Sequence, residues 1–332
     1  RSTQSRSSAA SDVYKRQVIL GVYDERQRLI AYLNRASPVT GPPAIDLVLR
    51  ADVAGLHVVV SARSAGTADR PYAVRLSLTG PQTVPAGVPQ ALVLSFAGRD
   101  QVRIGSRLPV NVPPFDAGRI DPRFAGQTET IIQRVVELVR ADYAGLNVSI
   151  HTDADRPTGP HSTVYFGTYD AALLGLADNI DPYNAAAEQA AIVYTDTFAL
   201  FSRLNPDVEA ISQVLANVAS HEAGHLLGLR HTADPHDIMD VTASARQMML
   251  DQWFKLGRLD ASVMPLGFQD APTLLSWTVG GALPAVRKIL WPQCARTADD
   301  IAPEEDDFFI PRDLLSSSHD EESGLDDGSG MP

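Results

Sequence analysis

Four of the chain's eight histidines fall within sixteen residues, in the stretch HEAGHLLGLRHTADPHDIMD at 221–240. His221 and His225 are four residues apart. On an α-helix that step advances about 6 Å and rotates about 400°, so both rings leave one face, one turn apart. The separation suits two imidazoles converging on one metal ion, each at about 2.0–2.1 Å if the ion is zinc. Glu222 points roughly 100° away around the helix. It is poorly placed as a ligand but can reach a water in the ion's open position, where a general base belongs. Gly228 lacks a Cβ, so it can adopt a left-handed conformation, end the helix and let the chain turn back. His231 would then return as third ligand. Three histidines leave one position for water or a substrate carbonyl, the layout of a catalytic rather than a closed structural zinc site. The ion brings its water to a pKa of about 7, so hydroxide is available at neutral pH. Two alternatives stand beside this reading: a helix end that is merely rich in histidine, and Asp234 or Asp237 in place of His231.

The elements that must hold these residues are legible as patterns. ALVLSFAG (91–98) reads as a first strand. QTETIIQRVVELVRADYAG (127–145) reads as an amphipathic helix with Ile131, Val135, Leu138 and Val139 at helical spacing and Gly145 as a stop. LNVSIHT, STVYFGT and AIVYTD follow as strands. NPDVEAISQVLANVASHEAGHLLGL (205–229) then reads as a long helix, with Pro206 at its first position and an acidic first turn. Strand, helix, three strands and a long helix make an α+β order, with the histidine stretch at the C-terminal end of that helix. AIVYTD precedes it and is expected to be an edge strand able to pair with an extended peptide.

His221, Glu222, His225, Gly228 and His231 together spell H-E-x-x-H-x-x-G-x-x-H. This resembles the signature of the metzincin metalloproteases, and Met239 in DIMD stands where their Met-turn methionine does. The spacing from His231 to Met239, with Pro235 between, is similar to that of the matrixins. The resemblance covers residues 91–268 and implies a metzincin-like catalytic domain, a mixed twisted sheet with a long active-site helix, followed by its own C-terminal segment at 269–295. It further implies a zinc endopeptidase with His221, His225 and His231 as ligands, Glu222 as base and then acid, and Met239 as an apolar floor beneath the ion. Protein or peptide would be the substrate, and the location secreted or at the cell surface. A rival zinc peptidase class takes its third ligand from a downstream glutamate, but none occurs between Glu222 and Glu304. No tyrosine closely follows Met239, so what besides zinc steadies the oxyanion stays open. A different kind of function, an extracellular binding or adhesion protein whose metal site is structural or inactive, is the competing expectation.

Residues outside this stretch give weaker signals. His236 is expected to be a solvated surface histidine. His151, Asp153, Asp155 and His161 read as a solvated turn rather than a second metal site. Asp178 and Asp181, in ADNIDPYN, are candidate calcium ligands without EF-hand spacing. Cys294 is the single cysteine, which excludes an intrachain disulfide, and it reads as a free or buried thiol.

Before residue 91 the chain changes character. VILGVYD, RLIAYLN, AIDLVLRA, LHVVVSA and YAVRLSL are short β-rich runs between turn residues, the pattern of an all-β sandwich. They resemble the bacterial pre-peptidase C-terminal type of domain, which implies an N-terminal sandwich fragment at 18–80, cropped at its start. PQTVPAGVPQ (81–90) reads as a linker. Residues 1–17 are expected to be non-native, because SDVYKRQ (Ser11–Gln17) reads as a translated sequencing adapter, and the true N-terminus is then missing. The net charge of −12 is uneven: residues 296–332 hold twelve acids and two basic residues, leaving 26 basic against 28 acidic elsewhere. The acidity thus belongs to a tail expected to be disordered. The near-neutral remainder shows no basic stripe for nucleic acid, and no apolar run is long enough to span a membrane.

Overall fold

The structure, a computed structural model, describes residues 18–35, 44–62, 73–77, 79–80 and 83–283. The adapter-like segment, Cys294 and the acidic tail lie outside the described residues. The chain divides into two compact units, the first running to Pro85 and the second beginning at Ala86.

In the first unit β1 (Val18–Asp24), β2 (Leu29–Arg35) and β3 (Leu56–Ala62) form an antiparallel sheet in the order β2-β1-β3. Asp24 closes the β1–β2 turn by accepting from the backbone N–H groups of Arg26 and Arg28, at 2.9 and 2.8 Å. The expected runs AIDLVLRA and YAVRLSL are not strands where described. Among the described residues of this unit there is one sheet, and a second, facing sheet of a sandwich is not shown.

The second unit starts with β4 (Gln90–Ser95), then β5 (Arg99–Val102) and β6 (Val110–Val112), an antiparallel hairpin. Gln90, assigned above to the linker, is the first residue of β4. Its buried amide donates to Ser162 Oγ and the Ala187 carbonyl. Next come α1 (Thr128–Asp142), β7 (Val148–Thr152), β8 (Ser162–Phe166), β9 (Gly175–Ala177), β10 (Ala190–Val193), a 3-10 segment over Thr195–Leu204 and α2 (Val208–Leu226). The chain continues through α3 (Ala245–Met248), the hairpin β11 (Leu256–Arg258) and β12 (Phe268–Asp270), and α4 (Ala271–Val279). None of these helices is long and apolar enough to cross a membrane.

β4, β7, β8, β9 and β10 form one five-stranded sheet in the order β7-β4-β8-β10-β9. β7, β4, β8 and β10 run parallel, and β9 is antiparallel at the edge. The expected peptide-binding edge in AIVYTD is therefore corrected: β10 is interior, and the short β9, which has too few residues to show an alternating pattern, takes the edge.

Side chains alternate across the sheet. Leu92, Leu94, Val164, Phe166, Ala191 and Val193 face the helices, whereas Tyr165, Leu176 and Ile192 pack with Val102, Ile104 and Val112 of the hairpin. α1 buries the stripe Ile131, Val135, Leu138 and Val139, as its periodicity requires. α2 is different, being buried on every side from Ile211 to Leu226, so it is the central rod between sheet and flanking layers. Its N-cap is Asp207, accepting from Ala210 N at 2.8 Å, so Pro206 precedes the cap rather than opening the first turn. α1 and α2 are tied by Arg134 to Glu209 at 2.6 Å and by Ser220 Oγ to Asp142 Oδ2, also at 2.6 Å.

Candidate active site

The C-terminal end of α2 determines the site. Leu227 caps the helix, Gly228 N donates to the His225 carbonyl at 2.9 Å, and Leu229 N donates to the Gly224 carbonyl at 3.0 Å. These two bonds are the Schellman pattern, which requires a left-handed residue after the cap. Gly228 has φ +92°, and a Cβ on it would also lie 2.8 Å from Pro182 Cα. The chain then reverses and brings His231 back to the helix.

His221, His225 and His231 meet at this reversal, all three buried. His225 Nε2 lies 3.1 Å from His221 Nε2 and 3.0 Å from His231 Nε2. The other nitrogens of two rings face carbonyl oxygens: His221 Nδ1 donates to Ile238 at 2.7 Å and His225 Nδ1 to Leu229 at 2.8 Å. A carbonyl can only accept, so Nδ1 of each ring carries the proton and Nε2 presents a lone pair. Lone pairs gathered at 3 Å repel unless a cation sits among them. A tetrahedral zinc with Zn–N of about 2.0–2.1 Å sets its nitrogens roughly 3.3 Å apart, close to what is seen. The residues present thus fit the ion. Among the described residues this is the group of His, Cys, Asp or Glu atoms near enough to share one. Burial lowers the pKa of His221 to about 4, which keeps that ring neutral and available as a ligand.

Glu222 is 2 % exposed, and burial pushes its pKa well above the ordinary carboxylate range. Its Oε2 is buried and has no hydrogen-bond partner among the described residues. An orphaned acceptor of this kind is costly and marks a group kept for something other than packing. The edge strand lies directly over it. A Cβ on Gly175 of β9 would stand 2.5 Å from Glu222 Oε1 and 2.7 Å from its Cγ. Gly175→Ala is accordingly expected to displace the carboxylate and lower hydrolytic activity by about 10²-fold. Zinc content by elemental analysis should stay at the wild-type level, and an alanine variant with unchanged kcat would refute the contact's importance.

The return loop is held from within. Thr232 N donates to the Met239 carbonyl at 2.8 Å, Val241 N to the Thr232 carbonyl at 3.1 Å, and Ala233 N to the Arg258 carbonyl of β11 at 2.8 Å. Met239 is 0 % exposed. Its sulfur packs on α2 where a Cβ of Gly224 would come within 2.6 Å. Gly224 therefore lets the loop close on the helix between the two helical histidines. Asp237 is buried in the same loop, accepting from Met239 N at 3.1 Å and Thr232 Oγ1 at 3.0 Å, so it is not a substitute ligand. Nor is Asp234, which pairs with Lys255 at 2.7 Å. His236 is corrected from a solvated residue to one wedged between Asp234, 3.3 Å away, and the Trp253 ring at 5.9 Å. It takes no part in the histidine group.

Burial raises the Asp237 pKa to about 8. Between about pH 4 and 8 the folded protein keeps a proton that the unfolded chain has released, so this group's contribution to stability falls as pH rises through that window. In zinc-free protein, Asp237→Asn is expected to match the wild-type Tm near pH 5 and exceed it near pH 8. Each 1 kcal/mol recovered should appear as about 2–4 °C, and equal pH dependence of the two melting curves would count against it.

The remaining candidates are engaged by the protein itself. Asp153 accepts from Ser95 Oγ at 2.8 Å and from Phe96 N and Ala97 N at 2.7 and 2.9 Å, which anchors the end of β4. Asp155 accepts from Thr152 N at 2.6 Å and pairs with His151 at 3.1 Å, while His161 Nδ1 faces the Gly159 carbonyl. Asp178 accepts from Gly105 N and Ala190 N, at 2.7 and 2.6 Å. Asp181 accepts from Ala186 N and Gln189 Nε2, at 2.8 and 2.7 Å. Gly175 and Gly224 were not singled out from the sequence. An isolated glycine within a helical pattern was the available signal for Gly224, whereas a contact with β9 leaves no local trace.

Residues 143–262, which include the whole site, match the family model of the matrixins, peptidase family M10. Among solved structures, archaemetzincin from Methanopyrus kandleri is 14 % identical over 53 % of this chain and 92 % of that one, with a TM-score of 0.29. So slight a likeness carries no argument. Among curated proteins none matches the chain.

Proposed function

We propose that the protein is a zinc-dependent, matrixin-like endopeptidase acting on protein or peptide substrates, with His221, His225 and His231 as ligands and Glu222 as general base. The observation that carries this reading is the pairing of three converging imidazole nitrogens with an adjacent buried carboxylate whose Oε2 is unpartnered. The matrixin match over 143–262 supports it. A zinc ion bound there supplies Lewis-acid polarisation of the scissile carbonyl and acidifies water. The carbonyl acceptors on His221 and His225 Nδ1 fix both rings and their tautomers. Glu222 takes a proton from the attacking water and delivers it to the departing amine. Met239, packed on Gly224, supports the loop carrying His231 without ligating. From the matrixin resemblance we further propose a location outside the cell or at its surface.

Purified protein should contain one zinc ion per chain and cleave casein or an unstructured peptide. Chelation should abolish cleavage, and added zinc should restore it. Full activity in metal-free protein would overturn the proposal.

A further inference from the structure

β9 is a strand of three residues and, among the described residues, pairs on one side only, with β10. So short a ladder is a weak hold by itself. Yet this strand carries Gly175, which lies against the Glu222 carboxylate. We propose that the β5–β6 hairpin braces β9 from its other face, and that Arg107 on the hairpin loop is a positioning residue for Glu222. The inference rests on the peptidase reading and deepens it.

The brace begins with packing. Side chains alternate across a strand, so the residue after Gly175 turns away from α2. That residue, Leu176, is buried among Val102, Ile104 and Val112 of the hairpin and its loop, and Leu173, just before the strand, joins the same cluster. The edge strand is therefore held between the helix that carries Glu222 and the hairpin.

Polar tethers from one loop then fasten both ends of the strand. Beyond its last residue, Asp178 accepts from Gly105 N at 2.7 Å and from Ala190 N at 2.6 Å. Ahead of its first residue, Arg107 Nη1 donates to Asp170 Oδ2 at 2.8 Å. Asp170 is fastened in turn. Its N–H donates to Thr197 Oγ1 at 3.1 Å, its carbonyl accepts from that hydroxyl at 2.8 Å, and its Oδ1 accepts from Ala172 N at 2.8 Å. Tyr194 N donates to the Leu174 carbonyl at 2.8 Å, which leaves little slack between Asp170 and Gly175. Release of Arg107 loosens this approach to Gly175, while β10 and Asp178 keep the strand in the sheet. The carboxylate beneath Gly175 is then less closely confined, and displacements of an ångström at a catalytic group are enough to slow a reaction. Arg107 can be removed without opening the core, because its side chain is 38 % exposed and that of Asp170 20 %. An ion pair so placed contributes little to stability.

The test compares variants of the zinc-loaded full-length protein on one unstructured peptide. Arg107→Ala should lower kcat about tenfold and change KM by less than about twofold, as expected when transition-state positioning rather than binding is lost. Its Tm should stay within about 2 °C of wild type. Asp170→Asn keeps the acceptor for Ala172 N but removes the charge facing Arg107, and should lower kcat equally. The double variant should be no slower than either single one, because both remove one contact. Arg107→Lys should keep kcat within about twofold of wild type, since one N–H contact rather than a bidentate fork is at stake. Peptide affinity of the Glu222→Gln protein should not change when Arg107→Ala is added, a readout independent of turnover. A folded Arg107→Ala protein with wild-type kcat would overturn this inference and leave the peptidase reading intact. Losses that multiply in the double variant, or a lysine variant as slow as the alanine one, would overturn it equally. Should Arg107→Ala fail to fold, the Asp170→Asn and Arg107→Lys rates decide. Wild-type protein that cleaves no peptide overturns the peptidase reading, and the role of Arg107 with it.

Discussion

Glu222→Gln is expected to lower kcat by about 10²–10⁴-fold, the usual contribution of general acid–base catalysis, while zinc content stays at one ion per chain. The side chains are nearly isosteric, so the close packing of Gly175 against the carboxylate is kept. Oε2 makes no hydrogen bond that the amide would break. Burial raises the glutamate's pKa, so replacing it with a neutral group also relieves a desolvation cost, and the variant should melt at or above the wild-type temperature. Loss of activity together with retained zinc and retained stability separates a proton-transfer role from a structural one. A Gln variant as active as the wild type would end the general-base assignment.

Gly228→Ala is the second change with a large expected effect, and it acts through the backbone. At φ +92° an alanine is strained, at a typical cost of about 1–3 kcal/mol. The added Cβ would also overlap Pro182 Cα at 2.8 Å and approach the Asp181 carbonyl at 3.0 Å. Neither neighbour is a side-chain end that can swing aside. Relief requires opening the turn, which would move His231 away from His221 and His225. A fall in Tm of roughly 5–10 °C is expected, with zinc affinity weakened by at least tenfold. Calorimetry together with a competitive chelator titration reads both quantities. A variant with wild-type Tm and wild-type zinc affinity would show that the turn does not position His231.

Much of the site was legible in the sequence because its information is local. A four-residue spacing on a helix places His221 and His225 on one face whatever surrounds them. A glycine three residues beyond His225 marks a place where the chain can reverse at once. The same locality made α1 readable, since its apolar stripe repeats at the helical period. α2 was readable from its apolar positions Val208, Ile211, Val214, Leu215, Val218 and Leu226 at helical spacing, although it is buried all round rather than on one stripe.

Elements whose information is non-local were misplaced or missed. The edge of the sheet was assigned to AIVYTD, yet pairing with β8 and β9 puts that strand inside. AIDLVLRA has the composition of a strand but is not one, because strand formation depends on a partner as well as on propensity. His236 has a polar neighbourhood in sequence, but Trp253, seventeen residues on, partly covers it.

The sequence by itself determined which three histidines converge and which carboxylate stands beside them, because helix geometry and a glycine turn are set within eleven consecutive residues. Only the tertiary structure decided how tightly that chemistry is enclosed. β9 lies over Glu222, and Met239 packs on Gly224. Each of these contacts joins segments with no shared periodicity, so distance and volume, not spacing, define them.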